Sequence, residues 1–164
     1  MKRNIKKILY VIGMLSLLFL IACPGGTAGG GDEAMRTFTF DSGGAYHIQN
    51  LGAWRAVLTG DGVLSLSHDT RGDVTDYGDF TLTDEEAAGL WAAVDGLDVP
   101  RMKAKKREGV PDEVRYTFIL EDGGKTSEVL IWINDARDKP GMDEFLTLLS
   151  ELIEKYTDEK PALR

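Results

Sequence analysis

Three groups of side chains are dense or distinctive enough to do chemistry. Between Asp69 and Asp79 lie four carboxylates, Asp69, Asp73, Asp76 and Asp79. Oxygen-rich segments hold calcium, but an EF-type loop carries carboxylates at alternate positions and a bidentate glutamate at the twelfth, and this spacing has neither. A solvated acidic loop is therefore the expectation, with metal binding as its alternative. The second group is Arg101, Lys103, Lys105, Lys106 and Arg107, five cations within seven residues. Like charges so close repel unless something offsets them, which makes this run the best candidate for contact with an acidic partner or an anionic surface. The third is Cys23, the one thiol of the chain, which directly follows a long apolar run.

Other familiar chemistries find no support. One cysteine excludes an intramolecular disulfide and any multi-thiolate zinc or iron–sulfur site, and His47 and His68 have no partner at ligand or catalytic spacing. No Ser–His–Asp or Cys–His arrangement can be argued from spacing, and the carboxylates fall in no acid/base order that singles out a pair. Trp54, Trp91 and Trp132 fit core positions better than ligand-stacking ones. A non-catalytic protein without a cofactor is the expectation.

The N-terminus reads as an address. Lys2, Arg3, Lys6 and Lys7 precede an unbroken apolar or small stretch, Ile8 to Ala22, whose 15 residues are too few to span a bilayer comfortably. A basic start followed by a short apolar core describes an export signal. Its end, Leu20-Ile21-Ala22-Cys23, resembles the lipobox of bacterial lipoproteins. That resemblance implies cleavage before Cys23, a diacylglyceryl group on its sulfur, and anchorage to a membrane of the cell envelope on the extracytoplasmic side. Single acyl chains bind marginally, so two or three on one residue make the anchor durable. Residues 1–22 are thus expected as signal peptide and 23–35 as lipidated cysteine plus a glycine-rich tether, Pro24 to Gly31. The chain carries a formal charge of −8, and taking those four N-terminal cations from its 19 basic residues leaves 15 against 27 acidic, or −12. Such a body repels phosphate backbones, and nucleic acid is not an expected partner.

The exported body must position whatever the basic and acidic segments do. Composition, 43% hydrophobic and 28% charged, suits one folded domain, placed at residues 36–157 with a polar tail over 158–164. Arg36 to Phe40 alternates as a half-buried strand, and Ala53–Thr59 and Val63–His68 flank Gly60-Asp61-Gly62, a hairpin turn signal. A long polar loop, Asp69 to Asp79, leads to a short strand at Phe80. Thr83-Asp84-Glu85-Glu86 reads as a capping box opening a helix with Ala87, Leu90, Trp91, Val94 and Leu97 on one face, ended by Pro100. A second hairpin pairs Val114–Leu120 with Thr126–Ile133 around Asp122-Gly123-Gly124. Leu130 and Trp132 place apolar surface on the second face too, as for a central strand or one rimmed by a partner. Phe145, Leu148, Leu149, Leu152, Ile153 and Tyr156 mark a closing amphipathic helix. The sum is an α+β fold, a mostly antiparallel sheet of two hairpins plus flanking strands with two helices on one face.

Ser42-Gly43-Gly44 after the first strand, the Thr83–Glu86 helix start, Pro111-Asp112 before Tyr116-Thr117-Phe118, the Asp-Gly-Gly turn and the final helix resemble emfourin-type inhibitors of thermolysin-like metalloproteases. The pattern covers most of Arg36 to Tyr156, and no inhibitory residue carries over. It implies an α+β binding module without catalysis, one that restrains a protease in the envelope. The leading expectation is accordingly a tethered binding module using the basic run to hold an envelope protein. The alternative is a small envelope hydrolase or metal-binding protein using residues 69–79, and a structural lipoprotein with no single ligand is a third.

Overall fold

The computed structural model describes residues 36–43, 52–110 and 113–163. The expected signal, Cys23 and tether, together with Gly44, His47 and Pro111-Asp112, lie outside them.

Among the described residues the chain forms six strands, β1 (Thr37–Asp41), β2 (Ala53–Thr59), β3 (Val63–Thr70), β4 (Asp73–Thr81), β5 (Arg115–Asp122) and β6 (Lys125–Trp132), with large apolar and small polar residues alternating in the central ones. Three helices accompany them, α1 (Asp84–Leu97), the single turn α2 (Ile133–Ala136) and α3 (Met142–Thr157). The strands form one antiparallel sheet in the order β4-β3-β2-β1-β5-β6. The α+β architecture expected from the sequence is the one observed. At the first hairpin, Gly62 has φ +82 and its N–H donates to Thr59 O at 2.9 Å, a conformation that favours glycine.

Register places the buried side chains of all central strands on one face. Phe38 lies opposite Leu58 and Leu120, and Phe40 opposite Ala56 and Phe118. Phe145 of α3 meets Phe38 and Phe40 edge-on at 5.5 and 5.3 Å between ring centroids, so the helix is keyed into the sheet by aromatic packing. From α1, Leu90, Ala93, Val94 and Leu97 enter the same core. The capping box is complete: Glu86 N–H donates to Thr83 Oγ1 at 3.3 Å, and Thr83 N–H to Glu86 Oε2 at 3.0 Å. The opposite sheet face, where Val57, Thr39, Ile119 and Glu128 stand in register, carries no helix among the described residues.

Four expectations need correction. Asp69–Asp79 is not a long loop: the chain turns at Arg71-Gly72 and returns as β4, an edge strand paired with β3 from Thr70↔Asp73 to Val63↔Thr81. Polar and charged residues suit an edge, where they discourage pairing with other chains. Secondly, β6 is the other edge rather than a central strand, so Leu130 is 43% exposed. Thirdly, the buried face of α3 also takes in Met142 and Leu146, while Leu148 is only partly buried. Lastly, the tail is not wholly polar: Leu163 is 2% exposed, and the Tyr116 hydroxyl donates to its carbonyl.

Candidate functional site

The basic run leaves a short 3-10 turn at Val99–Arg101, anchored by buried Val99, and crosses to the start of β5. Two of its cations pair with the chain's own carboxylates. Arg107 forms a two-pronged ion pair with Glu113, Nη2 to Oε1 at 2.6 Å and Nη1 to Oε2 at 2.8 Å, while its Nε donates to Asp135 Oδ2 at 2.9 Å. Lys105 Nζ lies 3.2 Å from Asp135 Oδ1 and 3.6 Å from Asp138 Oδ2. Fork geometry of this kind fixes a guanidinium in orientation as well as position.

Glu113 and Asp135 are sheltered and heavily bonded, while Asp138 is exposed. Glu113, its side chain 1% exposed, also accepts from the backbone N–H groups of Val110 at 3.1 Å and Asn134 at 3.3 Å. The Arg107 bonds outweigh burial and hold the Glu113 carboxyl down at about 2. Burial pushes Asp135 up, yet bonds from Arg107 and Lys105 keep it below the ordinary aspartate value. Lys105 is raised through its bond to Asp135.

Trp132 completes the brace. The Arg115 guanidinium sits 4.0 Å from the centre of its ring, and the indole N–H donates to Arg107 O at 3.4 Å. Gly109 lies against the same ring so closely that a Cβ there would fall 2.4 Å from it. Trp132 is thus a packing platform for the loop. Of the other two tryptophans, Trp54 is buried and stacked on His68 at 4.3 Å, and Trp91 lies 4.2 Å beneath the Arg36 guanidinium.

The outward members of the run are Arg101, Lys103 and Lys106. Arg101 makes one exposed pair with Asp98 at 3.4 Å, and the ammonium groups of Lys103 and Lys106 have no ion pair among the described residues. Four residues after Lys106 on the same loop, Val110 is 55% exposed. The run expected from sequence as one patch is therefore two sets, with Lys105 and Arg107 bound to the chain's own carboxylates. Those partners, Glu113, Asp135 and Asp138, were not identified from the sequence; only their opposite charge hinted at them.

The acidic segment brings no groups together. Asp69 accepts from Gly72 N–H at 2.7 Å and Asp76 from Gly78 N–H at 2.9 Å, both local turn bonds, while Asp79 accepts from the Ser65 hydroxyl at 2.5 Å. Among the described residues no three His, Cys, Asp or Glu side chains are placed to hold a metal ion. A second ion-pair cluster ties the helices together: Glu86 accepts from Lys155 at 2.5 Å and Tyr156 at 3.0 Å, and the Lys155 bond foremost keeps Glu86 at about 2. Beside it a groove of about 590 Å³ runs between α1 and α3 over Leu90, Leu148 and Leu152. No helix among the described residues is long and apolar enough to cross a membrane. The chain matches no protein-family model, and no curated protein is significantly similar to it.

Proposed function

We propose that the chain is a lipid-anchored protein of a bacterial cell envelope whose exported domain is a non-catalytic binding module. The observation that carries this reading is the N-terminal series: four cations, the apolar run Ile8–Ala22, and Cys23 directly after Leu20-Ile21-Ala22. The folded body supports the second half. Lys105 and Arg107 are bound to the chain's own carboxylates, Asp73, Asp76 and Asp79 lie along an edge strand, and among the described residues one sheet face stands free of helices. The emfourin-like pattern is compatible with such a module, and restraint of an envelope protease is its narrower form.

Metabolic labelling with radioactive palmitate tests the reading, comparing the full chain with Cys23→Ser in a bacterial host. The expected result is label in the wild-type chain, partition into the detergent phase, and loss of both on substitution. An unlabelled wild-type chain in the aqueous phase would remove the anchor, and with it the envelope assignment.

A further inference from the structure

The divided basic run assigns different work to neighbouring cations. Lys105 and Arg107 lie against Asp135 and Glu113, and Trp132, Gly109 and Arg115 hold the loop backbone from beneath. A loop fixed in this way gives up little conformational entropy when something binds it, which is the physical content of preorganisation. What the brace leaves outside is Lys103, Lys106 and the half-exposed Val110, with Arg101 paired to Asp98 and the exposed Glu108 offsetting part of the positive charge without cancelling it.

We infer that Lys103, Lys106 and Val110 form the contact surface of the binding module, for a protein partner with an aliphatic pocket rimmed by carboxylates. The inference rests on the binding-module reading and names its site. Charge complementarity supplies the argument: two ammonium groups without an ion pair among the described residues stand on a chain whose portion after residue 22 carries −12, so an acidic partner is drawn to this loop and repelled elsewhere. An anionic bilayer fits less well. A membrane meets a whole side of the body and feels its negative charge, and one valine buries too little to hold an interface. A protein pocket reads the local arrangement alone. In this scheme Lys105 and Arg107 are positioning residues, holding the loop without touching the partner.

Site-resolved crosslinking tests the assignment. The photoreactive residue benzoylphenylalanine is placed singly at Lys106, Val110, Leu130 or Asp73 in the full-length chain, in cells that produce it. The expected result is one polypeptide captured from 106 and 110 and not from 73 on the far edge. Once purified, it should bind the full chain about tenfold more weakly after the double substitution Lys103→Glu, Lys106→Glu, and about tenfold more weakly after Val110→Ser. Melting temperatures should be unchanged, since neither change touches the brace. Capture only from 130 or 73, or unchanged affinity on charge reversal, overturns this site and leaves the binding module standing. Capture from no position overturns both. Crosslinking to lipid, with charge reversal abolishing binding to vesicles of about one-third phosphatidylglycerol, overturns the protein partner in favour of a membrane contact.

Discussion

Replacing Leu163 by alanine probes a contact that closes the core from the far end of the chain. Leu163 is 2% exposed, and its carbonyl accepts from Tyr116, whose hydroxyl is itself pushed up to about 12 by burial. Leucine-to-alanine changes at buried sites cost about 2–5 kcal/mol when the surroundings stay in place. Here they need not. Residues after α3 are held chiefly by this side chain, and ordering each residue costs about 1–2 kcal/mol, so the tail lifts away and the loss saturates near the low end, at about 2 kcal/mol. Deleting residues 158–164 should therefore cost the same to within about 0.5 kcal/mol, because either change releases the tail and with it the Tyr116 hydrogen bond. Tyr116→Phe should cost about 1 kcal/mol, the worth of one buried hydrogen bond. Equilibrium urea unfolding followed by tryptophan fluorescence measures each difference as a shift in midpoint at constant slope. At about 2–4 °C per kcal/mol for a chain of this size, Leu163→Ala should also lower the melting temperature by roughly 4–8 °C. An unchanged midpoint for Leu163→Ala, or a deletion costing several kcal/mol more, would refute the reasoning.

Three further outcomes are expected. Glu86 and Glu113 are both held at about 2 against an ordinary value of 4.5, so their stabilisation is complete above that value and lost as pH falls toward 2; urea midpoints should stay level from neutral pH down to about 5 and drop below it, with a shallower drop in Glu113→Gln. Gly109→Ala drives a methyl group into the Trp132 ring, and should lift the loop and red-shift tryptophan emission while leaving far-ultraviolet circular dichroism unchanged. Millimolar calcium should leave the melting temperature unchanged, since among the described residues no three carboxylates are placed to hold an ion and Asp69, Asp76 and Asp79 each bond a different partner; a rise of several degrees would restore the metal-binding alternative.

What the sequence made legible was whatever repeats locally. The Asp61-Gly62 turn, the alternation of Phe38 with Phe40 and of Tyr116 with Phe118, and the Thr83–Glu86 capping box all act over a few residues, and all are observed. Only the end of β4, at Phe80, was legible, because an edge strand needs no apolar alternation; Asp73, Thr75, Asp76 and Asp79 are exposed there, and polarity reads as loop. Leu130 and Trp132 suggested a central strand because apolar residues occupied the second face, yet Trp132 packs against its own loop and Leu130 is 43% exposed on an edge strand. One leucine in a polar tail has no period, and Leu163 could not announce itself. The candidate site was legible as charge and not as arrangement. Arg107 reaches Asp135 across 28 positions, and only the folding of β5 and β6 decides which cations are consumed.

Everything about compartment and anchorage turns on the chemistry at Cys23, and intact-mass spectrometry of the native product measures it directly. The account expects a chain beginning at Cys23, with a diacylglyceryl group on sulfur and a mass that falls stepwise as the acyl chains are hydrolysed. A product that keeps Met1, or that begins elsewhere with an unmodified thiol, contradicts it.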